Sequence, residues 1–324
     1  MFAITHRKIF LAIGLIVMAI SLGLIVTFGL RLGIDFTGGS LTEVSYDALP
    51  EKAALETSIA EQDLGGFSLR ETVTEDGKDG FVLRTRDLTE AERIAVEELL
   101  LVSETGASVE RFTSIGPVIG EELRDKAVWA IGGVVAVIIL YVAFAFAGVG
   151  RPVSSWAYGG ITIFALAHDV LVPAALMAVL GVVAGAEVDV LFVMALLAVL
   201  GYSVNDTIVV FDRVRENLVK YRQEKKIKKK DEFNQPIEEI EYTFTKDFDA
   251  IVGESVEQTI TRSINTSVTT LLALSALYFL GGSVTQTFSL ILIAGVLAGT
   301  YSSIFLANPL IVWYASRNQV KEAN

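Results

Sequence analysis

The sequence predicts a membrane α-helical bundle of six transmembrane helices that carries one small α+β domain outside the bilayer. Three observations predict it. The chain has 324 residues, 52% of them hydrophobic, and a mean hydropathy of +0.54. Six apolar runs each meet the roughly 20 residues needed to cross about 30 Å of hydrocarbon. The charges are swept into a few connecting segments, and of the Lys and Arg residues only Arg262 lies close to the core of an apolar run. Soluble domains are themselves about 45–50% apolar, so the placement of charge decides the class.

The first run covers residues 9–30. It exceeds the roughly 7–15-residue core of a signal peptide and lacks a small-residue cleavage site, so it reads as a retained anchor. Residues 31–126 follow, with 10 basic and 21 acidic side chains. Here 40–46 alternates like a strand and 51–62 has helical composition. Residues 67–74 and 80–86 read as strands joined by the turn-rich Glu75-Asp76-Gly77-Lys78-Asp79. Residues 89–101 form an amphipathic helix with Thr89 as N-cap and Glu92 three residues on, and 107–113 closes as a strand. The order βαββαβ matches the ferredoxin-like motif, which by itself assigns no function.

The remaining spans are predicted at 127–147, 154–181, 190–211, 264–283 and 287–314. Residues 212–263 form a loop and an amphipathic approach to the fifth span. Arg7, Lys8, Arg151, Arg317, Lys321 and ten basic residues within 212–254 lie on one side. The opposite short loops, about 182–189 and 284–286, have no basic residue, and the first holds Glu187 and Asp189. The positive-inside rule therefore puts both termini in the cytoplasm and 31–126 in a periplasmic or extracellular position. The stretch 223–250, lysine-rich and then acidic, reads as a solvated or partly disordered loop, or as a docking site for a partner or anionic membrane lipids.

Composition also excludes. A net charge of −12 argues against nucleic acid as a partner. The absence of cysteine rules out disulfides and thiolate metal sites. No nucleophilic triad or phosphate loop stands out, so an enzyme with a hydrolytic site is not expected, and neither a metal nor another cofactor is.

Charges inside a bilayer cost about 2.5–3.5 kcal/mol even on the lenient insertion scale, so each asks for a reason. Asp206 lies within the fourth span, with Ser203 at i−3 and Asn205 beside it. Arg262 lies at the cytoplasmic end of the fifth, followed by Asn265, Thr266 and Thr269 at i+3, i+4 and i+7. That spacing makes a polar stripe, which should face another helix or a hydrated groove. Asp206 and Arg262 would share the cytoplasmic half of the membrane. Two readings stand: a carboxylate that loads and releases an ion, or a permanent pair that fixes helix packing. Asp169, near the middle of the third span and one turn before Pro173, serves either in the relay or as local polarity. Its neighbour His168 reads as packed or pore-facing.

Four segments together resemble the SecF family of the SecD/SecF proteins. They are Gly33-Ile34-Asp35-Phe36-Thr37-Gly38-Gly39, Ile115-Gly116-Pro117 with Glu121-Glu122-Leu123, the run from Gly201 to Asn217 around Asn205-Asp206, and Arg262-Ser263-Ile264-Asn265-Thr266-Ser267. The resemblance implies one half of a resistance-nodulation-division architecture, paired with a SecD-type half. It further implies association with the SecY–SecE–SecG channel, with YajC and with translocating preproteins. The function implied is use of the proton-motive force, or in some members sodium, late in export across the bacterial inner membrane. Carried over residue by residue, Asp206 and Arg262 match the ion-coupling pair, and Asp169 matches the third-span acidic position. Gly38 and Gly39, with Gly33 and Asp35 before them, serve either a turn into the first strand or contact with a client. The competing functions are a stand-alone exporter of lipids or small molecules on the same scaffold and a non-transporting assembly scaffold.

Overall fold

A computed structural model describes residues 2–323 apart from 63, 75–76, 102–104, 147–152 and 231–235; the side chains of 224–242, 283–284 and 318–324 also lie outside the description. Arg151 and part of the expected 75–79 turn therefore fall outside the described residues.

After a single turn, α1 (Phe2–Thr5), the first span is α2 (Arg7–Phe28). A further turn, α3 (Ile34–Thr37), leads into the outer domain: β1 (Gly39–Ser45), α4 (Lys52–Ala60), β2 (Ser68–Val73), β3 (Asp79–Thr85), α5 (Glu90–Leu100) and β4 (Ser108–Ile115). The strands form one antiparallel sheet in the order β2-β3-β1-β4, the split arrangement expected of βαββαβ. The sheet core is built from Val44, Leu69, Phe81 and Leu83, with Leu55, Ile59, Val96 and Leu100 packed against it from α4 and α5. Tyr46 is buried there and donates to Leu100 O at 3.0 Å; burial pushes its hydroxyl pKa up to about 12. Thr89 and Glu92 form the capping box that their spacing announces, which satisfies two otherwise orphan donors at the start of α5.

The other spans are α6 (Pro117–Ala145), α7 (Ser155–Val183), α8 (Val190–Tyr221), α9 (Phe248–Leu280) and a last, interrupted one. That span runs as α10 (Ser283–Tyr301), a π-helical stretch (Ser302–Ala307) and α11 (Asn308–Ala323). Its apolar window is 56% buried and that of α7 is 50% buried, against 11% for α2, α6 and α9. The centre of the bundle is therefore α7 with the last span, while α2, α6 and α9 leave broad apolar faces open to lipid or to another protein.

Some limits differ from those the apolar runs suggest. The fourth span continues to Tyr221, and α9 begins at Phe248, well before residue 264. These polar extensions bond to each other: Asn217 Nδ2 donates to Ser255 Oγ at 2.8 Å and Tyr221 Oη to Glu254 at 2.9 Å. Hydropathy marks where a helix is apolar, not where it ends. Between them, the stretch expected as a solvated loop forms an antiparallel hairpin of β5 (Arg222–Lys230) and β6 (Pro236–Phe244). The register sets Lys225 opposite Glu241 and Lys228 opposite Glu238.

Candidate ion-handling site

The two acidic residues predicted inside the spans, Asp169 and Asp206, each sit in a polar cluster. Asp169, at the middle of α7, is 0% exposed. Its Oδ2 accepts from Ser203 Oγ of α8, by a short bond, and from Ser302 Oγ of the π-helical stretch at 2.7 Å. Its Oδ1 lies 2.8 Å from His168 Nδ1. The His168 ring lies 5.7 Å from that of Tyr301, and its buried Nε2 has no hydrogen-bond partner among the described residues. Asp206 on α8 is half-buried. Its Oδ1 accepts from Ser263 Oγ of α9 at 2.6 Å, and its Oδ2 from Ser303 Oγ at 2.8 Å. Each carboxylate thus ties its own helix to the last span.

Local sequence explains the geometry. Pro173 has no N–H, so the helix around Asp169 lacks one backbone donor and accommodates polarity there. The π-helical stretch, a common device at functional sites, presents Ser302 and Ser303 in succession. Asn308 Nδ2 caps the freed Ser303 carbonyl at 2.5 Å. Beside Asp206, Tyr202 Oη donates to Ser267 Oγ at 3.1 Å, and Ser267 Oγ meets Thr300 Oγ1 at 2.6 Å.

The structure does not join Asp206 to Arg262: among the described residues no ion pair links them. Arg262, Asn265, Thr266 and Thr269 are exposed, as is Asn205. Thr266 Oγ1 donates to Arg262 O and Thr269 Oγ1 to Asn265 O, within their own helix. The stripe, expected to face another helix or a hydrated groove, points away from the rest of this chain, and the inward face of α9 carries Ser263 and Ser267. Ser203, expected beside Asp206, serves Asp169. Serines 263, 302 and 303 escaped sequence reasoning because serine is common in membrane helices, where it ordinarily bonds its own preceding turn. Among the described residues no group of three or more His, Asp or Glu side chains is placed to hold a metal ion.

The Gly33–Gly39 signature sits at the end of the bundle next to the α+β domain. Gly33 N donates to Val188 O at 2.8 Å, Val188 N to Arg31 O at 2.7 Å, and Val190 N to Asp35 Oδ2 at 2.9 Å. Asp35 thus shares the N-terminus of α8 with its N-cap Asp189, which accepts from Phe192 N at 2.7 Å. Burial, and then the adjacent Asp35 carboxylate, raise the Asp189 pKa. Gly38 (φ 71°) and Gly39 (φ 124°) adopt backbone that side chains rarely tolerate, and a Cβ at Gly38 would lie 2.7 Å from Pro117 Cα. Above them, Arg84 donates to Glu187 Oε1 at 2.9 Å and to Leu32 O at 3.1 Å, and Arg70 donates to Gly185 O. A cavity of about 430 Å³ lies between the open face of the sheet and this end of the bundle.

Comparison with known proteins identifies the family. Residues 95–317 match the family described as protein export membrane protein SecD/SecF, C-terminal, and residues 23–48 match the SecD/SecF GG motif. The chain is 37% identical to the protein translocase subunit SecF of Thermobaculum terrenum, over 90% of this chain and 86% of that one. It is 36% identical to SecF of Anaerolinea thermophila, over 95% and 92%. It matches the SecDF protein of Thermus thermophilus at 34% identity over 96% of this chain, but over only 38% of that longer protein. The crystal structure of that SecDF, a translocon-associated membrane protein, superposes with a TM-score of 0.78 at 31% identity, covering 97% of this chain and 38% of that one. The chain belongs to the SecD/SecF family, as a SecF-type subunit of the protein translocase.

Proposed function

We propose that this translocase subunit couples ion movement to protein export, with Asp206 as the group that loads and releases the ion. The observation that carries the reading is the Asp206 carboxylate itself: half-buried in a span, held by two serine hydroxyls and paired with no cation among the described residues. A carboxylate whose partners are neutral hydroxyls can change protonation without stranding a buried counter-charge. Asp169, buried and bonded to His168, Ser203 and Ser302, is the second member of the relay.

Arg262 and its stripe fit an interface with a SecD-type half, the kind of partner that the longer SecDF relatives carry in the same chain. An exposed arginine within a span is costly against lipid, and a polar partner face relieves that cost. The charge asymmetry of the loops supports an inner-membrane protein with both termini in the cytoplasm and the α+β domain outside. In that placement the domain is positioned for emerging preproteins delivered by the SecY–SecE–SecG channel, with YajC as an accessory partner. The ion is a proton, or sodium in the same carboxylate site; no bound cofactor is required.

The test is preprotein translocation into vesicles reconstituted with the channel, a SecD-type half and this subunit, with and without an imposed gradient. Asp206→Asn keeps the shape and can still bond one serine through its oxygen and the other through its amide N–H, but it cannot cycle a proton, so gradient-dependent stimulation should fall at least about a hundredfold, the low end of what one positioned proton-transfer group contributes. Wild-type stimulation by an inserted Asp206→Asn protein under a limiting gradient would refute the assignment. Separate dissipation of proton and sodium gradients identifies the ion.

A further inference from the structure

We infer that Ser302 and Ser303, side by side in the π-helical stretch, join Asp169 and Asp206 into one hydrogen-bonded unit, so that the protonation of one carboxylate is felt at the other. The inference rests on the ion-handling reading of the two carboxylates and adds the element that links them.

The two acids come from different helices, and among the described residues no hydrogen bond joins them directly. Ser302 Oγ donates to Asp169 Oδ2 at 2.7 Å and Ser303 Oγ to Asp206 Oδ2 at 2.8 Å. Neighbouring residues on a helix point roughly 100° apart, which lets adjacent serines serve acids on separate helices. Each hydroxyl also has a second acceptor in reach. Ser302 Oγ lies 3.2 Å from Gly299 O, and Ser303 Oγ lies 3.2 Å from Thr300 O.

A hydroxyl has one proton to donate. While its carboxylate is ionised, the proton points to the carboxylate. Once the carboxylate gains a proton and donates it to the serine oxygen, the serine proton turns to the backbone carbonyl instead. Both arrangements leave every group satisfied, so each serine is a two-position switch. Those carbonyls, Gly299 O and Thr300 O, close the last turn of α10, where the α-helix gives way to the π-helical stretch. A change at either serine therefore alters the same backbone turn that holds the other.

Burial keeps the effect local. Asp169, Ser203, Ser302, Ser303 and Asn308 are all 0% exposed, whereas Asp206 is half-buried, so at Asp169 and at both serines a displaced hydrogen bond is compensated internally. The groups that face the unit are few. His168 of α7 and Ser203 of α8 meet Asp169, and Tyr301 of α10 stacks near His168. Ser263 of α9 meets Asp206, with Tyr202 of α8, Ser267 of α9 and Thr300 of α10 bonded alongside. Arg262, next to Ser263 in the chain, points outward. The serines act as positioning residues.

The experiment is an infrared titration of the full chain with its SecD-type partner in lipid nanodiscs. The protonated Asp206 carboxyl band is identified by its loss in Asp206→Asn. In the wild-type background, Asp169→Asn should move the Asp206 midpoint by about one pH unit, the scale of two coupled sites. In a Ser302→Ala/Ser303→Ala background, and in Ser303→Ala alone, the same substitution should produce no resolvable movement. An equal movement with and without the hydroxyls overturns the serine link and leaves the proposed function untouched. No movement in the wild-type background overturns the link as well. An Asp206 band that never titrates would instead defeat the proton-carrying reading of Asp206, and the link with it.

Discussion

Replacing Gly38 by alanine separates the two roles open to the signature glycines. The Gly38 backbone sits at φ 71°, where a Cβ costs about 1–2 kcal/mol. That Cβ would also lie 2.7 Å from Pro117 Cα and 3.0 Å from Pro117 N, both backbone atoms at the first turn of α6. Such a clash cannot be relieved by turning a side chain, and overpacking of this kind costs about 1–3 kcal/mol more. Gly65 supplies the control: its φ is 72°, yet a Cβ added there would meet nothing within 4 Å. Gly65→Ala should therefore carry the backbone cost alone. Hydrogen exchange at the slowest amides of β1 and β4, measured on the intact protein, reports opening of the whole domain. Gly38→Ala should open the domain roughly 5- to 150-fold more often than Gly65→Ala, the equivalent of about 1–3 kcal/mol. Equal exchange in the two variants would refute the packing account. Equal exchange together with lost export would assign Gly38 to client contact instead.

Two further outcomes concern the end of the bundle next to the α+β domain. Asp189 has a raised pKa in the folded protein, so its ionised form opposes folding: the penalty is absent below the unfolded pKa of about 4 and complete above the folded value. Asp189→Asn, which retains an oxygen for the Phe192 N–H, should stabilise the folded protein at neutral pH, and the gain should vanish in unfolding measurements as the pH falls below about 4. Arg84→Gln loses the Glu187 partner and should cost about 1–2 kcal/mol, seen as faster hydrogen exchange at Val188 and Gly33; unchanged exchange there would show that the arginine holds nothing.

The spans and the outer domain were legible because each rests on local rules. Length and charge placement disclose a membrane helix, alternation discloses β1 and β3, and Thr89 with Glu92 discloses the start of α5. Sequence periodicity also found the Arg262 stripe, but periodicity says which residues share a face, not where that face points. Here the inward face carries Ser263 and Ser267, and the stripe waits on whatever lies beyond this chain. The serine partners of the two acids were hidden for a related reason. Their meeting depends on three helices and on a π-helical turn, and no spacing within one helix encodes that. Asp169 was the less marked acid in the sequence, with one clue in Pro173, and it proves to be the more completely enclosed of the two. The hairpin of β5 and β6 went unseen because its apolar alternation is weak.

Asp35 donates nothing to the membrane interior, yet its bond to Val190 N fastens the outer domain to the head of α8. The same helix carries Asp206 sixteen positions further on, about 24 Å along its axis at 1.5 Å per residue. A helix resists stretching and shortening far more than it resists tilting. Any axial shift of α8 that accompanies a change at Asp206 must therefore arrive at Asp35, and through α3 at the first strand of the sheet. The signature turn is in this sense the point at which α8 is fastened to the α+β domain, so an axial shift of that helix would be carried to the sheet.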